Sequence, residues 1–151
     1  MSLTFAVTVK PKQLAKIAKR ERDDIARGID KAIGLTAAKG KDILLSRTKK
    51  GDGVDGPFKP YSAAYIAFRQ KPTLAGGLGK VTPGLVNLNA TGEMLRNVQS
   101  RSKDSRTAEI YFSNRNASEK AAWTDSTRPW FSFNDREEER LRKVFERELL
   151  K

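Results

Sequence analysis

At 151 residues the chain has the length of one domain that can build its own hydrophobic core, and we predict a single domain over residues 1–151. It contains no cysteine and no histidine. This absence excludes disulfides, thiolate and imidazole metal ligands, and the catalytic nucleophile pairs that need cysteine or histidine. We therefore expect no enzyme activity, no cofactor and no metal. The formal net charge is +12. No apolar run approaches the roughly 20 residues of a membrane span, so we expect a protein that is synthesised and kept in the cytoplasm, with no membrane partner.

The N-terminal stretch "SLTFAVTV", residues 2–9, alternates apolar with small and polar side chains, which predicts a half-buried strand. After Pro11 the apolar residues recur every three or four positions to about Ser46, the pattern of a long amphipathic helix. Glycine weakens a helix interior by roughly 1 kcal/mol, so the pattern admits a bend or break between Gly34 and Gly40. The apolar face consists of Leu14, Ile17, Ala18, Ile25, Ile29, Ala32, Ile33 and Ile43.

Two segments rich in glycine and proline follow, "RTKKGDGVDGPFKPYS" at residues 47–62 and "KPTLAGGLGKVTPGLVNLNA" at residues 71–90. Loops of this length are uncommon unless they are functional or mobile. We therefore predict two long flexible loops, with residues 49–60 and 71–83 mobile in a free subunit. The run "GGLGK" lacks the spacing of a phosphate-binding P-loop, and we interpret it as plain loop.

A short helix is predicted over "SAAYIAFRQ", between the two loops. Ser62 is a good N-cap for this helix. We expect Tyr65 and Ile66 to face the core, with Phe68 as a further candidate for the same face.

The segment "NATGEMLRNV" predicts another short helix, which begins at Thr91. Its apolar face consists of Met94, Leu95 and Val98. Beyond it, residues 98–102 and 107–113 flank the polar turn "SKDS" and are rich in strand-forming residues, which predicts a hairpin.

The last 18 residues predict a terminal helix. Asn134 is a good N-cap and Glu137 stands at capping-box spacing, so we expect this helix over residues 135–150. Its apolar stripe consists of Leu141, Val144, Phe145 and Leu149. In this order the elements predict an α+β fold, in which a long N-terminal helix and a C-terminal helix pack on a small antiparallel β-sheet, with two long flexible loops.

The acidic run "NDREEER" brings together Asp135, Glu137, Glu138 and Glu139. Clustered carboxylates can bind metal or transfer protons, which would suit an enzyme. The same residues occupy the first turn of a predicted helix, where the macrodipole favours negative charge. We interpret the run as helix capping.

Basic residues cluster at the start of the predicted long helix, in "KPKQLAKIAKRERDD". Such a helix can neutralise nucleic-acid phosphates without reading sequence. The alternative is a solvated face whose charges pair with Glu21, Asp23 and Asp24. The candidate DNA-facing residues are Lys12, Lys16, Lys19, Arg20, Lys49 and Lys50.

The segment "WFSF", residues 130–133, stands directly before the terminal helix. Phe131 and Phe133 alternate, so part of the segment is expected in the core, whereas Trp130 falls out of phase and points away from their face. Core packing and subunit docking both stay open for it, and Trp130 is our candidate for an anchor on a neighbouring subunit. The predicted subunit interface consists of Trp130, Phe131, Phe133, Leu141, Val144, Phe145 and Leu149.

The order of these motifs resembles that of tailed-bacteriophage virion morphogenesis proteins, the tail-completion and neck family. That pattern has a leucine followed by Thr-Gly and a further apolar residue, and later Arg-Pro, two or three apolar residues and an acidic capped helix. The first motif is matched by Leu88, Thr91, Gly92 and Met94, and the second by Arg128, Pro129, Trp130, Phe131, Phe133, Asn134 and Asp135. The resemblance covers nearly the whole chain.

The resemblance implies a structural virion protein at the head–tail junction, acting in the neck, in tail completion or as a tail terminator. It implies a homo-oligomeric ring, expected to be a hexamer, that assembles in the bacterial host cytoplasm and contacts other phage neck and tail proteins. Genomic DNA passing through the ring would explain the cationic body through non-specific phosphate contacts. The alternative is a small basic nucleic-acid-binding protein, in which the charge itself is the function.

Overall fold

The computed structural model describes residues 1–6, 22–69, 85–88 and 92–151. Within these residues the chain has three strands and five helices, in the order β1 Ser2–Ala6, α1 Arg22–Lys50, α2 Ala63–Arg69, α3 Glu93–Arg96, β2 Val98–Ser102, β3 Thr107–Phe112, α4 Arg115–Thr127 and α5 Asp135–Leu149. The predicted α+β class is confirmed. Four predictions lie outside the described residues: the end of the first strand, the start of the long helix with Lys12, Lys16, Lys19 and Arg20, the loop at residues 71–83, and Thr91.

The described strands form one three-stranded antiparallel sheet in the order β1, β3, β2, so β3 is central. Strands β1 and β3 are antiparallel, with Leu3 opposite Ile110 and Phe5 opposite Ala108. Burial alternates along β1 as predicted, because the side chains of Leu3 and Phe5 share the covered face. Strands β2 and β3 are the predicted hairpin, closed by a hydrogen bond from the Lys103 amide to the Thr107 carbonyl at 2.9 Å.

Helix α1 runs without interruption through Gly34 and Gly40, so the break that the sequence admitted does not occur. Its inner face buries Ala32, Ile33 and Ala37. Burial of an isoleucine side chain contributes about 1.5–3 kcal/mol, which outweighs the roughly 1 kcal/mol that one glycine costs.

Helix α5 begins with the predicted capping box. The Asn134 side chain accepts a hydrogen bond from the Glu137 amide at 3.0 Å, and the Glu137 carboxylate accepts one from the Asn134 amide at 3.1 Å. Leu141, Phe145 and Leu149 are buried along its inner face. The acidic run is therefore a helix start, and the capping interpretation is confirmed.

Helix α4 was not predicted from the sequence. Asn114 caps it by accepting a hydrogen bond from the Ala117 amide at 2.7 Å. Its buried residues are only Ala117 and Ala121, so the apolar signal in the sequence was weak. Helix α4 brings Lys120 and Trp123 to the surface.

The chain groups into two compact units, and neither is one continuous stretch of sequence. The sheet unit takes Ser2–Asp42, Gln99–Tyr111 and Asn134–Lys151, and the aromatic unit takes Met1, Ile43–Val98 and Phe112–Phe133. The core of the sheet unit joins α1, β3 and α5 through Ala32, Ile33, Ala37, Ala108, Phe145 and Leu149, with Phe5, Ile25 and Ile29 packed against it. Both long helices thus pack on the sheet, as predicted.

None of the helices in the described part of the chain combines the length and the apolar character of a membrane span.

Candidate docking groove

The segment after α4 is held by hydrogen bonds rather than by regular structure. The Asp125 carboxylate accepts hydrogen bonds from the amides of Trp130 at 2.8 Å and Phe131 at 2.9 Å. On the other side, the Arg47 guanidinium donates to the carbonyls of Trp130 at 2.6 Å and Ser132 at 2.8 Å. Two charged side chains therefore fix the backbone on which the aromatic residues stand.

Trp130 is a core residue of the aromatic unit, with 0% of its surface exposed. Its ring lies 5.2 Å from that of Phe131 and 6.1 Å from that of Phe112, centroid to centroid, both in edge-on geometry. The expectation that Trp130 points away from the face of Phe131 assumed the alternation of a strand, but residues 128–134 form bends and irregular backbone. The structure corrects that expectation, because Trp130 and Phe131 both pack on Phe112.

The other six residues of the predicted interface are either buried or half-buried. Phe131, Leu141, Phe145 and Leu149 are buried inside their own units. Phe133 and Val144 are half-buried. Five of the seven predicted interface residues, Trp130 included, are thus core, and their burial does not support a docking role.

Of the predicted loop at residues 49–60, Lys49 and Lys50 still belong to α1, whereas residues 51–60 are irregular and are hydrogen-bonded within the aromatic unit. The Gly53 amide donates to the Gly56 carbonyl at 2.7 Å, and the Val54 amide donates to the Pro129 carbonyl at 3.0 Å. Phe58 is buried. These contacts hold the segment against the aromatic unit, and its mobility in a free subunit stays a prediction. Lys49 and Lys50, two candidate DNA-facing residues, are exposed at the end of α1, where the loop begins.

The exposed aromatic side chains lie on α2 and α4. Trp123 is 74% exposed, Phe68 48% and Tyr65 36%. Ser62 caps α2 as predicted, by accepting a hydrogen bond from the Tyr65 amide at 3.2 Å. Tyr65 and Phe68 nevertheless do not enter the core, which contradicts their predicted orientation, whereas Ile66 is half-buried. Trp123 was not among the predicted site residues.

The Tyr61 ring lies beside that of Tyr65 and between two arginine side chains. The guanidinium carbon of Arg69 lies 4.7 Å from the Tyr61 ring centroid, and that of Arg128 lies 5.1 Å from it. Such cation–π contacts are worth about 0.5–2 kcal/mol. Burial raises the pKa of the Tyr61 phenol, and the charge of Arg69 partly opposes this shift. Tyr61 also meets Tyr65 edge-on, with ring centroids 4.9 Å apart, which links the half-buried ring to the exposed ones.

A groove of about 560 Å³ opens beside this cluster, entirely within the aromatic unit. Leu88 and Met94 contribute apolar side chains to it, Tyr65 and Trp123 aromatic ones, and Lys120 and Arg128 positive charge. We call the groove that these six residues line, together with neighbours such as Gly92, the docking groove. None of the described residues that line it is acidic. Its volume and mixed character are those of a binding site.

The two motifs that carry the phage resemblance meet at this groove. Leu88, Gly92 and Met94 of the first motif and Arg128 of the second all line it. Gly92 has a φ of 73°, a left-handed conformation that favours glycine, directly before α3. Arg128 donates to the carbonyls of Lys59 at 3.3 Å and Pro60 at 3.5 Å, which orients its guanidinium at the groove.

The part of the chain that the structure describes contains no group of three or more acidic side chains placed to hold a metal ion. Within α5, Glu139 accepts hydrogen bonds from Arg142, and this contact lowers the pKa of the Glu139 carboxyl. Within the acidic run, Glu137 therefore serves helix capping and Glu139 serves ion pairing on its own helix.

No protein-family profile, characterised protein or solved structure matches this chain.

Proposed function

We propose that this chain is a structural subunit of a tailed phage or prophage, which assembles as a ring at the head–tail junction in the neck, in tail completion or as tail terminator. The observation that carries the proposal is the docking groove, where residues of both resemblance motifs meet beside exposed aromatic side chains. Two sequence motifs that converge on one surface site indicate a shared role for that site.

The chemistry of the groove suits a protein partner. Tryptophan, tyrosine and arginine are the residues that most often dominate the energy of protein interfaces. Trp123 leaves a large apolar surface in water, and covering it would release about 25 cal/mol per Å² of apolar surface. The combination of apolar and charged lining residues is also found in known interfaces, which have an apolar centre and a polar rim.

The proposed partners are further copies of the chain, the neighbouring neck and tail proteins, and the genome that passes through the ring. The formal net charge of +12 supports non-specific phosphate contact. Lys49 and Lys50 are the described members of the candidate DNA-facing set, and both are exposed. Virion location follows from the same proposal.

The test is the native mass across a concentration series for the wild-type chain, Trp123→Ala and Leu150→Ala. Leu150 is also exposed but stands at the end of α5, outside the groove, so it controls for the loss of exposed apolar surface. We expect a discrete closed oligomer for the wild type and Leu150→Ala, and a dissociation constant at least about tenfold higher for Trp123→Ala. A wild-type chain that stays monomeric throughout the series would contradict the proposal.

A second candidate function is nucleic-acid binding by the monomer, favoured by the exposed pair Lys49 and Lys50 on a chain of net charge +12. Titration of duplex DNA against the chain at several salt concentrations distinguishes the two. The structural role predicts weak binding by the free subunit that disappears with salt. Tight binding by a monomer, reduced in Lys49→Ala/Lys50→Ala, would favour the second function.

A further inference from the structure

We propose that the docking groove receives the first turn of α5 from a second copy of the chain, with Asp135 and Glu138 of that copy facing Lys120 and Arg128. This inference rests on the proposed self-assembly and names the surfaces that meet. The contact joins two different surfaces of the same chain. Each subunit therefore carries both a groove and a first turn of α5 that can bind neighbouring subunits.

The two charged side chains that line the groove are both positive, which favours an acidic partner. Lys120 and Arg128 contribute positive charge, and no described lining residue is acidic. Lys120 forms an ion pair with Glu93, but the two side chains are 55% and 37% exposed. Solvent therefore screens this ion pair, and Lys120 can exchange Glu93 for another carboxylate at little cost. A partner that carries carboxylates can therefore compete for Lys120.

The first turn of α5 offers two carboxylates with the right properties. Asp135 and Glu138 are both exposed, and three residues apart they lie on the same face of the helix. Neither makes a side-chain hydrogen bond or an ion pair with any residue that the structure describes. Farther along the helix the carboxylates of Glu139, Glu146 and Glu148 are paired with arginine or lysine of α5 or with Lys151.

An apolar side chain stands close to these carboxylates in the sequence. Phe133 lies two residues before Asp135 and is only half-buried in its own chain. The groove has Leu88 and Met94 to meet such a ring. Apolar contact supplies the affinity and the charges set the orientation, which is the usual division between the centre and the rim of an interface.

The alternative contact between copies, groove against groove, would bring Lys120 and Arg128 against the same residues of the partner. Like charges placed together at an interface cost several kcal/mol, so this arrangement is disfavoured. A groove that receives a different surface gives a head-to-tail contact, and head-to-tail contacts close into rings when the rotation between subunits allows it. The inferred contact therefore agrees with the ring of the proposed function.

The test exchanges the charges. Lys120→Glu places a carboxylate in the groove, and Glu138→Lys places an ammonium group on α5, so each variant alone opposes like charges at its own contact. We expect each to raise the dissociation constant at least about tenfold. A mixture of the two variants restores opposite charges at both of its contacts, and so does the double variant Lys120→Glu/Glu138→Lys. Both samples are expected to regain the wild-type mass.

Two matched controls carry the same kinds of charge change on exposed residues elsewhere, Arg106→Glu and Asp42→Lys. They are expected to assemble as the wild type does. Thermal melting of every variant verifies the fold, and the mixing experiment is independent of any small loss of stability, because a misfolded variant would not be rescued by its partner.

The outcomes separate the two proposals. A wild-type chain that never assembles contradicts the proposed function and this inference together. A wild-type ring that Lys120→Glu and Glu138→Lys leave intact overturns this inference alone, and so does a loss of assembly that mixing does not restore. Trp123 fluorescence reports a further outcome, since Trp130 is buried and Trp123 is exposed. Quenching by a single-stranded oligonucleotide, with assembly unaffected by both charge reversals, would assign the groove to nucleic acid instead.

Discussion

Arg47 and Trp130 stand 83 positions apart in sequence, and the Arg47 guanidinium donates a hydrogen bond of 2.6 Å to the Trp130 carbonyl. The same nitrogen donates to the Ser132 carbonyl at 2.8 Å. The two bonds hold the irregular segment that carries Trp130 and Phe131 to the end of α1. The aromatic unit therefore depends on a polar contact made by a residue that no sequence pattern distinguishes from its basic neighbours.

Arg47→Ala is expected to destabilise the chain by roughly 3 kcal/mol. The substitution removes the charged donor of two hydrogen bonds, and a charged hydrogen bond contributes about 1.5–3 kcal/mol. The check is urea unfolding of Arg47→Ala beside Lys49→Ala, which removes an exposed cation two residues away. Equal stability of the two variants would contradict the role assigned to Arg47.

The two tryptophans are expected to behave in opposite ways. Trp130→Ala empties a fully buried site and should cost about 3–5 kcal/mol, whereas Trp123→Ala on the surface should stay within about 0.5 kcal/mol of the wild type. Chemical denaturation of the two variants measures the difference. The same two variants compared by native mass should show the reverse order of effect, with assembly lost for Trp123→Ala at unchanged stability.

Two glycines provide a matched pair. A Cβ on Gly53 would stand 2.5 Å from the Pro129 carbonyl oxygen and 2.9 Å from the Phe58 ring, while a Cβ on Gly34 would meet nothing within 4 Å. Gly53→Ala is therefore expected to destabilise by about 1–3 kcal/mol. Gly34→Ala, inside α1, should stabilise by about 0.5–1 kcal/mol. Midpoints of thermal unfolding that move in the same direction for both would be inconsistent with the structure.

Asn134→Ala is expected to cost about 1 kcal/mol, because it removes the side chain that accepts the Glu137 amide at the start of α5. Asn116→Ala, at an exposed position inside α4, provides the control and should change stability little. Hydrogen exchange at the first turn of α5 should accelerate in Asn134→Ala alone.

The phenol of Tyr61 predicts a loss of stability at alkaline pH. Burial raises its pKa above the ordinary value of about 10, so an unfolded chain releases this proton before the folded chain does. The contribution is fully present below about pH 10 and is lost as the pH rises through the higher folded pKa. Urea unfolding at about pH 9 and about pH 11 should show a smaller loss in Tyr61→Phe than in the wild type. An identical loss in both would mean that the phenol titrates alike in the two states.

Local features of the sequence predicted most of the described elements. The alternation of Leu3 and Phe5, the capping box of Asn134 and Glu137, and the hairpin around residues 103–106 all involve neighbours in the chain. Helix α4 was not predicted because its buried residues are two alanines, which contribute little to an apolar periodicity. Its Asn114 cap was present in the sequence and could have indicated the start of the helix.

The candidate site was less predictable than the fold. The resemblance drew attention to Leu88, Met94 and Arg128, but their positions in the sequence do not show that they line one groove. Tyr65 and Phe68 stand at helical spacing that suits a core as well as a surface. Trp123 belongs to a helix that had not been predicted, so nothing marked it as the most exposed of the large apolar residues that the structure describes.

By itself the sequence determined the α+β class, the caps, the hairpin and the absence of cysteine and histidine chemistry. Each of these depends on residue types or on contacts between residues close in the chain. Only the tertiary structure decided which tryptophan is core and which is surface. Trp130 is buried because Phe112, Phe131, Asp125 and Arg47 converge around it from separate segments, whereas α4 packs through Ala117 and Ala121 and leaves Trp123 in water. Burial is a property of the whole assembled core, and local periodicity does not record it.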